Sequence, residues 1–383
     1  MANPSMSARA PRMATSRLSA SRRLAVIGPT GVSLRRLRGG LLAEVIAQRH
    51  QVMCFAHGFD GADGAMMAAL GIAHHELPPV QPGLVLFAER RAVKALTRDL
   101  DSWRPHVLLA YGRDTMLTAV KAARAAKVER IVALITDIGV EPKNGSVLRR
   151  IGRTLELVDA AVFHNADHPK ILQAKGLLPA DLTFAVVPGA GVDIADHPVQ
   201  PLPPLGEGLA FLMVATLDRA KGVLDYCNAA RIVKARAPSA RFVLAGPPGV
   251  GTSAVTRKSL AGFADCVEYL GPLDDVRPAL GQCHVYVYPS HGEGMPLSVL
   301  EALASGRPVI TTDGPGCRET VDVRVNGVLV PKANPEALAT AMESFLKRPD
   351  LIPAMARASR TKAERRFDRV GVNATLFQVL GLG

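Results

Sequence analysis

Aromatic residues are scarce, at 4 % of the chain with a single tryptophan. The five cysteines, at positions 54, 227, 266, 283 and 317, are scattered and form no C-x-x-C pair. Neither a disulfide framework nor a zinc cluster is expected, and a reducing cytoplasm fits best. No apolar run approaches the roughly 18–20 residues needed to cross a bilayer, which argues against a spanning protein. The segment before Leu24 has charge but no apolar stretch, so it does not read as a secretory signal. H-E-x-x-H, G-x-S-x-G and Walker A phrases are missing; residues 246–253, GPPGVGTS, imitate a phosphate loop but lack its lysine. Acid is absent from residues 1–40, whose eight arginines make up two-thirds of the net charge of +12.

That basic segment has three readings: a solvated tail, contact with an anionic membrane surface, or contact with nucleic acid. Nucleic acid is not expected as a partner, because no helix-turn-helix, zinc-finger or RNP pattern is present. A second basic stretch, SVLRRIGRTL at 146–155, puts Val147, Leu148, Ile151 and Leu155 on one helical stripe beside Arg149, Arg150 and Arg153. It fits a membrane-surface helix, and equally a core-facing helix with a solvated edge.

What is present is a globular composition, with 48 % hydrophobic and 21 % charged residues over 383 positions, enough for two cores. From Leu24 short apolar runs alternate with helical patterns: LAVIG, QVMCFAH, HVLLAYG, RIVALITD, AAVFHN and FAVVPG read as strands buried on both faces. A second series runs through LAFLMVATL, RFVLAGP, VEYLG, HVYVYPS, PVITTD and GVLVP. The proline-rich DHPVQPLPPLGEG lies between them. The expectation is α/β, with two doubly wound Rossmann-like domains facing a cleft. The expected division is a flexible basic N-terminus at 1–23, a first Rossmann-like domain at 24–195, a linker at 196–208, a second Rossmann-like domain at 209–365, and a C-terminal helix at 366–383 that packs back on the first domain.

The most informative phrase is YPSHGEGMPLSVLEALASGRPVITTDGPGCRET, residues 288–320. It reads as strand, loop, helix, strand, loop, with the helix starting near Pro296. A helix start offers N–H groups and partial positive charge to phosphate, and glycines at 292 and 294 allow close approach. Glu293 and Glu301 stand eight residues apart, which over a helix is roughly 11–12 Å. That is too far for a shared-proton dyad and suits two contacts on one extended ligand.

This phrase resembles the donor-site signature of the retaining, family-four glycosyltransferases of the GT-B fold. SLRRLRGGLLAEVIAQRHQV and GAGVDIADH resemble further segments of that family. HNADH, ALITDIG and GPGCRETV are similar to its bacterial branch acting on undecaprenyl-diphosphate-linked saccharides. The resemblance implies that Glu301 binds the donor ribose and that Glu293 lies at the transferring sugar. It implies that Gly294, Met295, Pro296 and Leu297 hold sugar and diphosphate through their backbone, and that Leu270, Gly271 and Pro272 meet the base. It also implies that Arg38, Gly39 and Gly40 form a loop approaching the diphosphate from the N-terminal side.

Two departures from the family matter. Lys221 stands in its expected place, but Thr216 occupies the position of a family arginine; Arg219 either substitutes for it or is a surface residue. Asp137 stands where near relatives have a small residue, and either binds an acceptor hydroxyl or caps a turn. Asp99 and Asp101 spell D-x-D at a helix end, where chance explains them. The histidines, His291 beside the donor loop included, form no metal-ligand spacing.

The resemblance thus implies a metal-independent hexosyl- or N-acetylhexosaminyltransferase without a cofactor, peripheral at the cytoplasmic face of the bacterial inner membrane. Its donor would be a nucleotide sugar, UDP-linked ahead of GDP-linked, and its acceptor a polyprenyl-diphosphate-linked or other saccharide. The alternatives are a non-catalytic nucleotide-sugar-binding scaffold, a nucleotide-sugar epimerase on the same fold, and a basic nucleic-acid binder.

Overall fold

A computed structural model describes residues 21–77, 85–139, 145–204, 208–292 and 294–383. The first series of apolar runs forms β1 (Arg23–Thr30), β2 (Gln51–His57), β4 (Val107–Tyr111), β5 (Arg130–Ile135), β6 (Ala160–Phe163) and β7 (Thr183–Val186). A further strand, β3 (Ala73–Glu76), completes a seven-stranded parallel sheet in the order β3-β2-β1-β4-β5-β6-β7. Helices α1 (Gly31–Ala47) and α2 (Gly61–Ala69) pack their apolar residues on one face of it. Helices α3 (Val85–Trp103), α4 (Arg113–Ala125), α5 (Ser146–Leu155) and α6 (Asp167–Ala174) cover the other.

The second series gives a six-stranded parallel sheet from β8 (Ala210–Val214), β9 (Arg241–Ala245), β10 (Glu268–Tyr269), β11 (Val285–Tyr288), β12 (Val309–Thr312) and β13 (Gly327–Val330), in the order β10-β9-β8-β11-β12-β13. Helices α7 (Val223–Arg236) and α11 (Pro335–Lys347) cover one face, and α9 (Arg277–Gly281) and α10 (Leu297–Ala304) the other. Burial on both faces explains why these strands are almost purely apolar. In each sheet the strand order reverses once, between β1 and β4 and between β8 and β11. Such reversals open a crevice at the carboxyl ends of the strands, where ligands of this architecture bind.

After α12 (Ile352–Lys362) the chain recrosses to the first sheet. Val192 N–H donates to the Phe367 carbonyl at 2.8 Å, and Arg369 N–H donates to the Val192 carbonyl at 3.0 Å. The crossing is close enough that a Cβ on Gly191, at φ +68°, would lie 2.7 Å from Arg369 Cα. Helix α13 (Arg369–Leu380) then buries Val372, Leu376, Phe377 and Leu380 in the core shared with Leu24, Val26, Leu34 and Leu109.

Helix α5 resolves the two readings of its basic stretch. Leu148, Ile151 and Leu155 are buried against the first sheet, with Val147 packed beside them. Only the edge bearing Arg149, Arg150 and Arg153 is exposed, so the apolar stripe is already occupied. The D-x-D of Asp99 and Asp101 sits exposed at the end of α3.

Candidate active site

The loops after β8 and β11, the two strands at the order reversal, bring the second sheet's candidates together. The first loop holds a single 3-10 turn, Arg219–Lys221, whose start is capped by Asp218 accepting from Ala220 N–H at 2.7 Å. Ser253 Oγ donates to the other oxygen of Asp218 at 2.5 Å and holds the cap in place. The turn ends on Gly222 at φ +74°, where a Cβ would lie 2.0 Å from the Pro289 carbonyl oxygen, so only glycine lets the two loops touch. The β11 loop is stitched on by His291 N–H and Ser290 Oγ, both donating to the Ala220 carbonyl. His291 Nε2 lies 2.5 Å from Asp225 Oδ2 on α7. This gives His291 a joining role that its spacing alone did not reveal. Lys221 is half-buried; Arg219 and Thr216 are exposed.

Helix α10 begins at Leu297 with Pro296 as an extended N-cap. Ahead of it, Gly294 is wedged against the first sheet: a Cβ there would lie 1.5 Å from the Thr136 carbonyl oxygen at the end of β5. Asn165, just beyond β6, donates from Nδ2 to the Gly294 carbonyl at 2.6 Å. Met295 is buried against Gly189. Glu293 lies outside the described residues. Leu270 is exposed at the end of β10, followed by Gly271 at φ +81°, whose carbonyl accepts from Gly246 N–H, and by exposed Pro272.

Glu301, the fifth residue of α10, is only 6 % exposed. Its Oε1 lies 3.6 Å from Arg36 Nη2 of α1 and 4.0 Å from His197 Nε2 between the two sheets. Its Oε2 is buried and has no hydrogen-bond partner. Burial pushes the carboxyl up to about 7, against the opposing pull of Arg36 and Arg369. A buried carboxylate oxygen without a donor is costly unless a ligand supplies one.

On the first sheet the structure corrects the reading of Arg38, Gly39 and Gly40. They are not in a loop but in the interior of α1. The helix starts early because Thr30 and Ser33 form a reciprocal capping box. The two glycines serve packing there: Gly39 faces Met66 Sδ, and a Cβ on Gly40 would lie 2.8 Å from Arg369 Cδ. The chain passes directly from β1 into α1 at Thr30 and Gly31, beside the strand-order reversal. Arg38 is 1 % exposed, stacks over Tyr111 with its guanidinium carbon 5.3 Å from the ring centre, and donates from Nη2 to His164 Nε2 at 3.0 Å. Burial lowers its pKa to about 10 and pushes His164 well below the usual histidine range.

Asp137 follows β5 and accepts from Gly139 N–H at 2.9 Å, a turn-forming contact, next to the Thr136–Gly294 junction. Nearby His168 is pushed down to about 4, mainly by burial, with Asp137 and Asp167 opposing. Across the cleft, Glu319 Oε1 accepts from Ala166 N–H and Arg318 pairs with Asp167. Asn165, His168 and Glu319 lie inside phrases that the sequence comparison marked as familiar without assigning roles. Arg36 and His197 gave no signal, because their partner Glu301 is more than a hundred residues away in sequence. Among the described residues no group of three or more His, Cys, Asp or Glu side chains could hold a metal ion.

Two doubly wound parallel sheets, with their strand-end loops meeting across a cleft, define the GT-B class. Residues 208–348 match the family model described as glycosyl transferases group 1, so the second sheet and its helices form a group 1 glycosyltransferase domain. The structure superposes on Anabaena HepE in complex with UDP and glucose with a TM-score of 0.76 at 17 % identity, covering 94 % of this chain and 99 % of that one. It superposes on sucrose-phosphate synthase of Thermosynechococcus elongatus with a TM-score of 0.75 at 18 % identity, covering 94 % and 98 %. In sequence it is 32 % identical over 136 residues to the N,N'-diacetylbacillosaminyl-diphospho-undecaprenol alpha-1,3-N-acetylgalactosaminyltransferase of Campylobacter jejuni, a match covering 36 % of this chain and 35 % of that enzyme. It is 30 % identical over 200 residues to the putative colanic acid biosynthesis glycosyltransferase WcaL of Escherichia coli K12, covering 50 % and 49 %. The chain therefore spans half or less of the length of these two relatives.

Proposed function

We propose that this protein is a retaining, metal-independent glycosyltransferase of bacterial polysaccharide or glycan assembly. It transfers a hexosyl or N-acetylhexosaminyl residue from a nucleotide sugar, UDP-linked ahead of GDP-linked, to a polyprenyl-diphosphate-linked saccharide. The observation that carries this reading is the buried Glu301 carboxylate, with one oxygen unpartnered, on the helix that follows the β11 loop, a loop bonded to the Lys221 turn through Ser290 and His291. A nucleoside diphosphate matches both ends of that arrangement: its ribose hydroxyls are donors for Glu301 and its phosphates are anions for the helix start and Lys221. Of the relatives, the Campylobacter enzyme is named for an undecaprenol diphosphate substrate, and HepE was crystallised with UDP and glucose.

In this reading the bond between the anomeric carbon and the diphosphate oxygen breaks. The leaving phosphate takes the proton of the attacking acceptor hydroxyl, and the new glycosidic bond forms on the same face. Lys221, Arg219 and the N–H groups opening α10 stabilise the negative charge growing on the diphosphate, the largest contribution expected of such a site. Glu293 lies at the transferring sugar, Gly294, Met295, Pro296 and Leu297 line the phosphates, Leu270, Gly271 and Pro272 meet the base, and Asp137 faces the acceptor.

Among the described residues no helix is long and apolar enough to cross a membrane. We place the protein at the cytoplasmic face of the inner membrane, held by exposed arginines rather than by inserted apolar residues. Supporting this, Arg90, Lys94 and Arg98 line a groove between α3 and α4, beside the ion pair of Lys121 with Glu89, on the sheet face that also presents α5.

Product analysis tests the function: the protein is incubated with a panel of UDP- and GDP-sugars and a lipid-linked acceptor extract, with and without EDTA. Transfer of label from one UDP-sugar, surviving EDTA, is the expected result. Exposed Thr216, in place of the family arginine, favours a second reading as a nucleotide-sugar-binding scaffold. Donor binding with neither transfer nor hydrolysis would select it.

A further inference from the structure

Glu301 is reached from the other half of the molecule. Arg36 belongs to α1 of the first sheet, 265 positions earlier in the chain, and its Nη2 lies 3.6 Å from Glu301 Oε1. That is beyond hydrogen-bond length, so the contact is one of charge. The Arg36 side chain is 41 % exposed while that of Glu301 is 8 % exposed, so Arg36 approaches from the solvent side of a buried carboxylate. The two carboxylate oxygens are consequently unequal: Oε1 faces Arg36 and His197, whereas Oε2 is buried and has no partner.

We propose that Arg36 is a positioning residue of the donor site, one that fixes the Glu301 carboxylate from across the cleft and leaves Oε2 to accept from the ribose hydroxyls. This rests on the reading of Glu301 as the ribose carboxylate and adds a residue of the opposite domain to it. Domain approach and ribose recognition are thereby joined, because the carboxylate is fully supported only when α1 lies against α10.

The other groups facing Glu301 do not duplicate the role. Burial lowers His197 from the ordinary histidine value, which disfavours its charged form. Arg369 of α13 acts on Glu301 more weakly than Arg36 does and pairs with Asp193 at 3.5 Å. Asp275, ahead of α9, is an anion and opposes ionisation of Glu301, while Tyr286 of β11 is buried and neutral. Arg36 is thus the chief cation on Glu301. Its removal displaces ionisation of the carboxyl from about 7 to higher pH.

The test compares UDP with 2′,3′-dideoxy-UDP, which has the same phosphates but no ribose hydroxyls for Glu301. The affinity ratio of the two is measured by calorimetry from pH 5.5 to 8.5 on the full chain, for wild type, Arg36→Gln, Arg36→Lys and Glu301→Gln. The expected wild-type ratio rises about tenfold as Glu301 ionises. In Arg36→Gln the rise moves to higher pH, and Arg36→Lys restores most of it. A loss of packing alone would lower affinity for both nucleotides and leave the ratio's midpoint unmoved. If Glu301→Gln abolishes the wild-type rise but Arg36→Gln keeps the wild-type midpoint, the role of Arg36 is overturned. If Glu301→Gln leaves the ratio unchanged, the ribose reading itself falls, and the role of Arg36 with it.

Discussion

Asn165 of the first domain donates a 2.6 Å hydrogen bond to the carbonyl of Gly294 of the second. The backbone at Gly294, just ahead of α10, is therefore held by the opposite half of the molecule. Backbone donors held in place need no reorganisation when charge develops on a ligand.

Gly294→Ala tests that relationship. A methyl group would lie 1.5 Å from the Thr136 carbonyl oxygen, and backbone cannot yield as a side-chain end can. Overpacking of this kind costs about 1–3 kcal/mol. A fall in thermal midpoint and at least tenfold weaker UDP binding are expected. Gly64→Ala in α2 is the control: nothing lies within 4 Å of its Cβ position, and about 0.5–1 kcal/mol of stabilisation is expected from helix propensity. Equal melting and equal binding for both variants would contradict the seating.

Glu301 couples function against stability. Glu301→Ala should weaken the donor by about ten- to a hundredfold, or roughly 1.5–3 kcal/mol. The folded carboxyl is raised to about 7 from 4.5, so the native state holds its proton more tightly than the unfolded state. The associated stability is present below about pH 4.5 and is lost as pH rises through about 7, amounting to about 3 kcal/mol. Glu301→Gln removes that loss. Its ligand-free form should melt above wild type at pH 8 and close to it at pH 4.5, in scanning calorimetry at both pH values.

Lys221→Ala should lower turnover by about a hundredfold or more while leaving the melting temperature nearly unchanged, because its charge acts on the leaving group. The double variant with Arg219→Ala asks whether Arg219 compensates for Thr216. Exposed Arg219 is on the same 3-10 turn as Lys221, so a loss beyond that of Lys221→Ala is expected. Silence of Arg219→Ala, alone and combined, would make it a bystander.

Vesicle flotation tests the membrane reading. Each basic side chain at an anionic surface contributes about 1 kcal/mol, decaying within a Debye length. Binding to anionic vesicles that is reversed by salt is expected. Deleting residues 1–23 should weaken it, and changing Arg149, Arg150 and Arg153 to Gln in the truncated protein should remove most of the rest. Persistent flotation of that variant would point to the acceptor lipid or a partner protein as the anchor.

Much of the fold was legible because it is written locally. Continuous apolar runs such as VLLAY and RIVALI have to be buried on both faces, and the helical stripes between them have to cover them. Strand β3 escaped notice because its four residues, AHHE, are all exposed at a sheet edge and have no apolar pattern. The resemblance put Arg38, Gly39 and Gly40 in a loop, whereas the capping box at Thr30 and Ser33 and the close approach of Arg369 make them a helix interior.

The sequence by itself determined two doubly wound units, the strand–loop–helix that ends in α10, and the short list of residues able to meet a nucleotide sugar. The first two follow from periodicity and from glycine and proline positions within a few dozen residues; the third is what the resemblance to a family implies. The tertiary structure alone decided which half of the molecule supports which residue: Thr136 and Asn165 behind Gly294, Arg36 beside Glu301, and residues 367–369 recrossing at Val192. Those partners are more than a hundred residues apart. No local periodicity encodes such a pairing, because it depends on how two separately folded sheets set their strand ends against each other.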